Sequence, residues 1–279
     1  MSKISLLFNR LCKRKFISSL LLTVIAISTS QIALADYKPP PKEDICQSDK
    51  KETCEQTTKN TVGITSRGGC SAREETFLTA LAPQNHIGRT IVTRPTWAWF
   101  IPDKKPYQLK FQLYEYGVNG ELTAIWQHNL ISESGIMTLT LPVERPELSV
   151  GKQYRWKVIL LCNPNRPSNS IVVEADLKVV SLPQSLQTEL ARATESLAIA
   201  DVYAEQSIWY DALAQAILTT QNSTESRFEL KLLEDLARIE EATDSQHNLE
   251  DYIKQSYRLR QIIEAELEKS SLSFYKQKI

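Results

Sequence analysis

The sequence has little histidine, glycine or proline, and neither sign of charge is in excess. Its 279 residues include three His, eight Gly and twelve Pro, and 33 basic residues balance 33 acidic ones. Balanced charge argues against a nucleic-acid binder that works through bulk positive charge. The low glycine and proline content excludes a collagen-like repeat. With 42% hydrophobic residues, the chain has the composition of an ordinary globular protein.

Common catalytic and nucleotide-binding motifs are also missing. His86, His128 and His247 are far apart, and none has a metal-ligand spacing such as H-x-H or H-E-x-x-H. The sequence contains no G-x-S-x-G, P-loop or G-x-G-x-x-G motif. We therefore expect no cofactor, no metal site and no catalytic residue, and the sequence points away from an enzyme.

The first 35 residues have the pattern of a secretory signal peptide. Five basic residues and no acidic residue precede an apolar run from Phe16 to Ala26. Ala33-Leu34-Ala35 then provides the small residues that a signal peptidase needs, so we expect cleavage after Ala35. The alternative is an uncleaved N-terminal anchor. No later apolar run approaches the roughly twenty residues of a membrane span, so we expect a periplasmic or secreted protein.

The remaining cysteines fit an exported protein with two disulfides. Cys46, Cys54, Cys70 and Cys162 follow the predicted signal peptide, and an even number favours bridges in an oxidising compartment. Four cysteines allow three pairings. We expect Cys46 to pair locally with Cys54, and Cys70 to pair with Cys162. No C-x2-C pair or nearby His supports a zinc site.

Residues 36–61 predict a polar N-terminal arm that holds a small disulfide loop. The arm begins Asp36-Tyr-Lys-Pro-Pro-Pro-Lys42 and continues mainly with Lys, Glu, Thr and Gln. Such a stretch offers little apolar surface to bury.

Residues 62–182 predict a β-sandwich domain. In the two runs Gln153–Cys162 and Ile171–Val180, apolar and polar residues alternate, which places them on opposite strand faces. Asn119-Gly120 predicts a hairpin turn. One-sided strands at this spacing predict an antiparallel sandwich that is Ig-like or jelly-roll-like. The other expected strands are Thr90–Thr93, Thr96–Ile101, Gln108–Tyr116, Leu122–Leu130 and Gly135–Leu141.

Residues 183–279 predict an α-helical segment packed on the sandwich, which makes the fold class α+β. Beyond Pro183 apolar residues recur every three or four positions, as in amphipathic helices. Asn222-Ser-Thr-Glu225 is expected to cap the third helix and to place an acid in its first turn. The four predicted helices run through Leu186 to Ala204, Trp209 to Thr220, Phe228 to Ile239, and Leu249 to Leu267.

Five motifs follow one another in a fixed order along the chain. They are Arg67-Gly-Gly-Cys70, Leu78-Thr-Ala-Leu-Ala-Pro83, Thr93-Arg-Pro-Thr-Trp-Ala-Trp-Phe-Ile-Pro102, Leu148-Ser-Val-Gly-Lys-Gln-Tyr-Arg-Trp156 and Ala204-Glu-Gln-Ser-Ile-Trp-Tyr-Asp-Ala-Leu213. In this order they resemble the motifs of the cyanobacterial domain-of-unknown-function family 928. The resemblance covers about residues 62–240 and implies an exported protein with a β-domain followed by helices. It implies no established activity and no catalytic residues.

The stretch around residues 197–220 is similar to the helix hairpin of a tetratricopeptide repeat. Ser207 stands where that repeat prefers Gly. Only one or two such units fit, fewer than the roughly three that a self-supporting solenoid needs. The helices are therefore expected to pack against the sandwich or against a partner.

Two aromatic pairs are candidate binding residues. Trp209 and Tyr210 lie at the corner of the predicted hairpin, where we expect at least one exposed ring that could contact a protein partner. Trp97 and Trp99 share one face of a strand and could stack on sugar rings. Packing in the hairpin or in the sandwich core is the structural alternative for each pair.

Glu174 and Asp176 are the candidate catalytic carboxylates. They lie two positions apart, hence on one face of a strand, which is a geometry that a carboxylate pair for glycoside hydrolysis can use. Lys178 continues that face, and an alternating charged face is more often simply solvated.

The sequence as a whole favours an exported, non-enzymatic binding module. We expect a protein partner in the periplasm or cell envelope, and no nucleic-acid partner. The alternatives are a hydrolase of envelope polysaccharide or peptide, and a carbohydrate-binding module. The sequence does not predict an oligomeric state.

Overall fold

The computed structural model describes residues 36–41, 70, 76–222, 227–242 and 249–277. The predicted signal peptide lies outside these residues, as do Cys46, Cys54 and most of the predicted arm. Among the described helices, none is both long and apolar enough to cross a membrane.

Eight strands form two sheets in the described part of the chain. The strands are β1 (Thr79–Ala80), β2 (Gly88–Thr90), β3 (Thr96–Ile101), β4 (Gln108–Tyr116), β5 (Leu122–Ile131), β6 (Gly135–Thr140), β7 (Gln153–Leu161) and β8 (Ile171–Val179). One sheet has the order β1-β3-β6 and the other has the order β2-β8-β7-β4-β5.

The first predicted strand needs correction, because β2 is not antiparallel and ends earlier than expected. It pairs parallel to β8, with Thr90 opposite Val179. The backbone N–H of Ile91 donates to the Asp211 carboxylate at 3.3 Å, so the chain leaves the sheet at that point. Every other strand pairing in the two described sheets is antiparallel.

Aromatic side chains connect the two sheets. The ring of Trp97 on β3 lies 4.8 Å from that of Phe111 on β4, and Trp99 lies 6.1 Å from the same ring. Trp156 on β7 stacks on the other side of this cluster, 6.2 Å from Phe111. Apolar faces of strands bury their side chains in this way when two sheets meet. The fold is therefore mixed α+β with an aromatic core between the sheets.

Five helices follow β8 among the described residues. The first predicted helix is two helices, since residues 191–195 between them are not helical. In the predicted cap Asn222-Ser-Thr-Glu225, Asn222 is the last residue of the preceding helix, and the other three residues lie outside the described part of the chain. The helices are α1 (Gln184–Leu190), α2 (Ser196–Glu205), α3 (Trp209–Asn222), α4 (Phe228–Glu241) and α5 (Leu249–Gln277).

A disulfide and several hydrogen bonds connect distant parts of the fold. Cys70 and Cys162 form a disulfide, the pairing that we expect from the sequence. The Trp209 indole N–H donates to the Leu81 carbonyl at 3.0 Å, and the Gln255 amide donates to the Ala80 carbonyl at 3.2 Å. Helices and sheets therefore share one core rather than forming separate ones.

Candidate functional site

Trp209 and Tyr210 do not form the exposed aromatic corner that we expected. Both are buried, with 0% and 2% of their surface exposed. The Trp156 indole N–H donates to the Tyr210 hydroxyl at 2.8 Å, and that hydroxyl donates to the Asp176 carbonyl at 2.9 Å. Because their polar tips find partners inside the protein, both rings can lie fully in the core. The expectation that one of them is exposed is wrong.

Trp97 and Trp99 also lie in the core. Each has 0% of its surface exposed, and both indole rings contact Phe111. A sugar ring needs an open aromatic face, and neither indole offers one in this arrangement. The glycan-stacking interpretation of these two residues therefore has no surface to act on.

Glu174 and Asp176 lie on one strand face, as their spacing predicts, but both form ion pairs with basic side chains. Arg155 forms two parallel hydrogen bonds to Asp176, at 2.8 and 2.9 Å. Lys157 contacts Glu174 at 2.7 Å. Burial raises the pKa of Asp176, and the Arg155 guanidinium and the Tyr116 hydroxyl oppose that shift. The cluster is a set of ion pairs that neutralise one another, with neither carboxylate free.

The most distinctive site involves the short segment Asp36–Pro41, which docks on the helices. Only 3% of Tyr37 is exposed. Its ring meets Trp209 edge to face, with 4.8 Å between ring centroids, and stacks beside His86 at 5.9 Å. We call the surface formed by His86, Trp209 and Asp235 the tyrosine pocket. The expectation that this part of the arm has little to bury is therefore wrong.

The hydrogen bonds around His86, at the end of the pocket, assign one nitrogen of its ring as donor and the other as acceptor. The Asn85 amide nitrogen donates to the Ile239 carbonyl at 3.0 Å, so the Asn85 side-chain oxygen is left to accept from His86 Nδ1 at 2.5 Å. His86 Nε2 then accepts from the Tyr37 hydroxyl at 2.8 Å. Burial lowers the pKa of His86 to about 3, which keeps the ring neutral and suited to this role.

Backbone and charged groups hold the rest of the segment. The Tyr37 N–H donates to the Asp235 carboxylate at 3.0 Å, and the Lys38 N–H donates to the Ala204 carbonyl at 3.1 Å. The Asp36 carboxylate accepts from Lys231 at 2.9 Å, and this contact lowers the pKa of Asp36. The segment is thus bound by its backbone, by one buried ring and by charge.

A buried acid supports the loop that carries His86. Glu240 lies in α4 with 0% of its surface exposed, and it accepts from the Gln84 N–H at 2.7 Å. Its other carboxylate oxygen accepts no hydrogen bond from the described residues. Burial raises the pKa of Glu240 to about 8. The acid is therefore mostly protonated at neutral pH and positions the loop without adding a charge.

Sequence reasoning missed this site for a physical reason. Tyr37 meets His86 and Asp235, which lie 49 and 198 positions away along the chain. No local pattern reports such contacts. The available signal was a single aromatic residue in a polar, proline-rich stretch, where a ring with nothing to pack against would be unusual.

Comparison with known proteins supports the resemblance seen in the sequence. No curated protein matches the chain. Within the described ranges, no group of three or more His, Cys, Asp or Glu side chains is placed to hold a metal ion. The cyanobacterial origin and the tetratricopeptide likeness stay predictions. The profile of the family described as Domain of Unknown Function (DUF928) matches residues 62–243, more than half of the sequence, so the chain belongs to the DUF928 family.

Proposed function

We propose that this protein is an exported, non-enzymatic binding module whose tyrosine pocket holds an extended peptide segment. The observation that carries the proposal is the docking of the chain's own Asp36–Pro41, with Tyr37 buried against Trp209 and His86. The partner is then an extracytoplasmic protein that presents a similar segment and replaces the built-in one.

The contacts are of the kind that proteins use to bind extended peptides. Two backbone N–H groups of the segment donate to fixed acceptors, which would suit any non-proline residue at those positions. Specificity comes from the ring and its hydroxyl. A ligand without the hydroxyl would leave the neutral His86 without its buried donor, so the pocket rejects such a ligand. The Lys231 contact favours an acidic residue before the tyrosine.

The alternatives have less structural support. A hydrolase that uses Glu174 and Asp176 would need a carboxylate free to exchange a proton, and both are held by Arg155 and Lys157. A carbohydrate module that uses Trp97 and Trp99 would need exposed rings, and both are buried. The tyrosine pocket remains the site with a bound segment.

Peptide rescue tests the proposal. Tyr37→Ala removes the anchor and leaves the pocket open, so the variant should melt at a lower temperature than the parent chain. Adding the peptide Asp-Tyr-Lys-Pro-Pro-Pro should raise that melting temperature, because a ligand that binds only the folded state stabilises it. The control peptide Asp-Ala-Lys-Pro-Pro-Pro should have no effect.

The matched control variant is Lys38→Ala. The Lys38 side chain is exposed. In the described structure it forms an ion pair with Glu205 at 3.7 Å. This variant keeps Tyr37 in the pocket, so neither peptide should shift its melting temperature. If the tyrosine peptide leaves folded Tyr37→Ala unchanged at millimolar concentration, the pocket is a structural clip and the proposal is wrong.

A further inference from the structure

Strand β5 is an edge strand of the five-stranded sheet in the described part of the chain. It is ten residues long and pairs only with β4 among the described residues. Most of its residues are exposed. An edge strand presents a row of unpaired N–H and C=O groups that can pair with another strand.

The register of the β4–β5 pair identifies which backbone groups are open. The Ser132 N–H donates to the Tyr107 carbonyl at 2.8 Å, at the end of the ladder. In an antiparallel pair, residues that exchange hydrogen bonds alternate with residues that do not. Leu130, His128 and Trp126 therefore face β4. The N–H and C=O groups of the three alternate residues Gln127, Asn129 and Ile131 point outward.

The sequence of this edge lacks the usual devices against pairing. Leu122–Ile131 contains no Lys, Arg, Asp, Glu or Pro, although such residues commonly protect natural edges. One device is present, since the register shifts between Leu113 and Tyr114 and leaves Ile125 as a bulge. The bulge separates the regular half of the strand, Trp126–Ile131, from the rest. Pairing would therefore be confined to Trp126–Ile131.

We propose that a second copy of this chain pairs antiparallel with this half-strand, about a two-fold axis at Asn129. Asn129 then lies opposite its counterpart, and Gln127 lies opposite Ile131 of the other copy. Three hydrogen-bonded residue pairs supply about six interchain hydrogen bonds. The two five-stranded sheets become one continuous sheet.

Charge favours a second copy over a charged partner strand. The half-strand contains no Lys, Arg, Asp or Glu, so no such charges repel each other across the two-fold axis, and none is present to select a basic or acidic strand. The nearest cation on that face is Lys110, directly opposite Asn129 on β4. In the dimer the two Lys110 backbones lie three strand spacings apart, about 14 Å, which exceeds the screening length of about 8 Å at physiological salt.

Substitutions at Asn129 test both the interface and its register. Its outward N–H does not serve the β4 ladder, so Asn129→Pro should leave the fold intact and remove a central interchain bond. Asn129→Lys and Asn129→Glu each place like charges opposite each other at the axis. Asn129→Thr is the matched control, since it keeps the N–H and adds no charge.

Light scattering during size-exclusion chromatography measures the molar mass of the signal-cleaved full-length chain and of its variants. We expect twice the mass of one chain for the parent protein and for Asn129→Thr, and the mass of one chain for the Pro, Lys and Glu variants. An equimolar mixture of the Lys and Glu variants should regain the doubled mass. A parent protein that stays monomeric overturns the proposal. So does a dimer that all three disruptive variants leave unchanged.

Hydrogen exchange gives an independent measurement on the parent protein, which does not depend on whether the variants fold. In the parent dimer, the amides of Gln127, Asn129 and Ile131 should exchange slowly, and dilution to monomer should make them exchange fast. If these amides are protected in a monomer, a segment of the same chain covers the edge and the proposal is wrong.

Discussion

At the scale of single residues, Tyr37 makes the buried contacts that hold the start of the described chain on the fold. Its ring, hydroxyl and backbone N–H each have a separate partner: Trp209, His86 and Asp235. Ring burial and the buried hydrogen bond contribute different amounts of free energy, so substitutions can separate them.

Tyr37→Ala should lower the free energy of unfolding by about 3 kcal/mol, because it empties a space that an aromatic ring fills. Tyr37→Phe should cost about 1 to 2 kcal/mol, since His86 Nε2 then lacks its buried donor. Urea denaturation followed by circular dichroism measures both. Lys38→Ala should stay within about 0.5 kcal/mol of the parent. Equal values for the Ala and Lys38 variants would mean that the ring contributes nothing.

Glu240 makes stability depend on pH. Its folded-state pKa is raised to about 8 from 4.5, so the folded state keeps a proton that the unfolded state has lost. The contribution of Glu240 to the free energy of unfolding is fully present below pH 4.5 and is lost as pH rises through 8. Denaturation at pH 6.5 and pH 8.5 should show a decline in the parent and a smaller decline in Glu240→Gln.

Two other buried groups titrate below that window. Burial lowers the pKa of His86 to about 3 and raises that of Asp211 to about 6. Their contributions change mainly below pH 6.5 and are shared by the parent and Glu240→Gln, so the difference between the two declines reports Glu240. Equal slopes in the parent and Glu240→Gln would contradict the assignment.

At the scale of secondary-structure elements, local patterns predict much of the fold. Strands β3 and β4 have the predicted bounds, because runs rich in β-branched and aromatic residues between Pro residues are local signals. The direction of β2 was not predictable in this way. A Cβ on Gly88 would lie 2.6 Å from the Tyr210 ring. The position of β2 therefore depends on packing against a residue more than a hundred positions away.

The tyrosine pocket shows the same limit for the candidate site. The sequence drew attention to Trp209, which does contribute to the pocket, but as a buried wall rather than an exposed anchor. The segment that fills the pocket lies in the arm, which the sequence describes only as polar. Long-range packing decides both, and periodicity does not report it.

The Cys70–Cys162 disulfide connects the start of the sheets to the end of β7. Its cysteines are 92 positions apart, and a loop of that size is worth about 4 to 5 kcal/mol in a chain-entropy account. The double variant Cys70→Ser, Cys162→Ser should therefore melt clearly below the parent in differential scanning calorimetry. An unchanged melting temperature would show that the bridge contributes little to stability.

At the scale of the whole molecule, the helices depend on the sheets. The Trp209 indole, the Gln255 amide and the Glu240 carboxylate all bond to backbone groups of residues 80–84. Removing residues up to 182 leaves these buried polar groups without partners, and each such loss costs about 1 to 3 kcal/mol.

A fragment of residues 183–279 should therefore lack a cooperative thermal transition. Circular dichroism would show a shallow, gradual loss of helix in the fragment and a sharp transition in the full chain. The outcome against this account is a sharp transition of the isolated fragment at the temperature of the full chain, which would make the helices an autonomous domain.

The most direct test of the proposed function is the affinity of a labelled Asp-Tyr-Lys-Pro-Pro-Pro peptide for two forms of the chain, measured by fluorescence anisotropy. Tyr37→Ala should bind the peptide, because its pocket is open. The parent chain should bind at least about tenfold more weakly, since its own segment competes at an effective concentration on the order of millimolar. Equal affinities for the two forms, or no binding to Tyr37→Ala while it remains folded, would contradict a peptide-binding pocket.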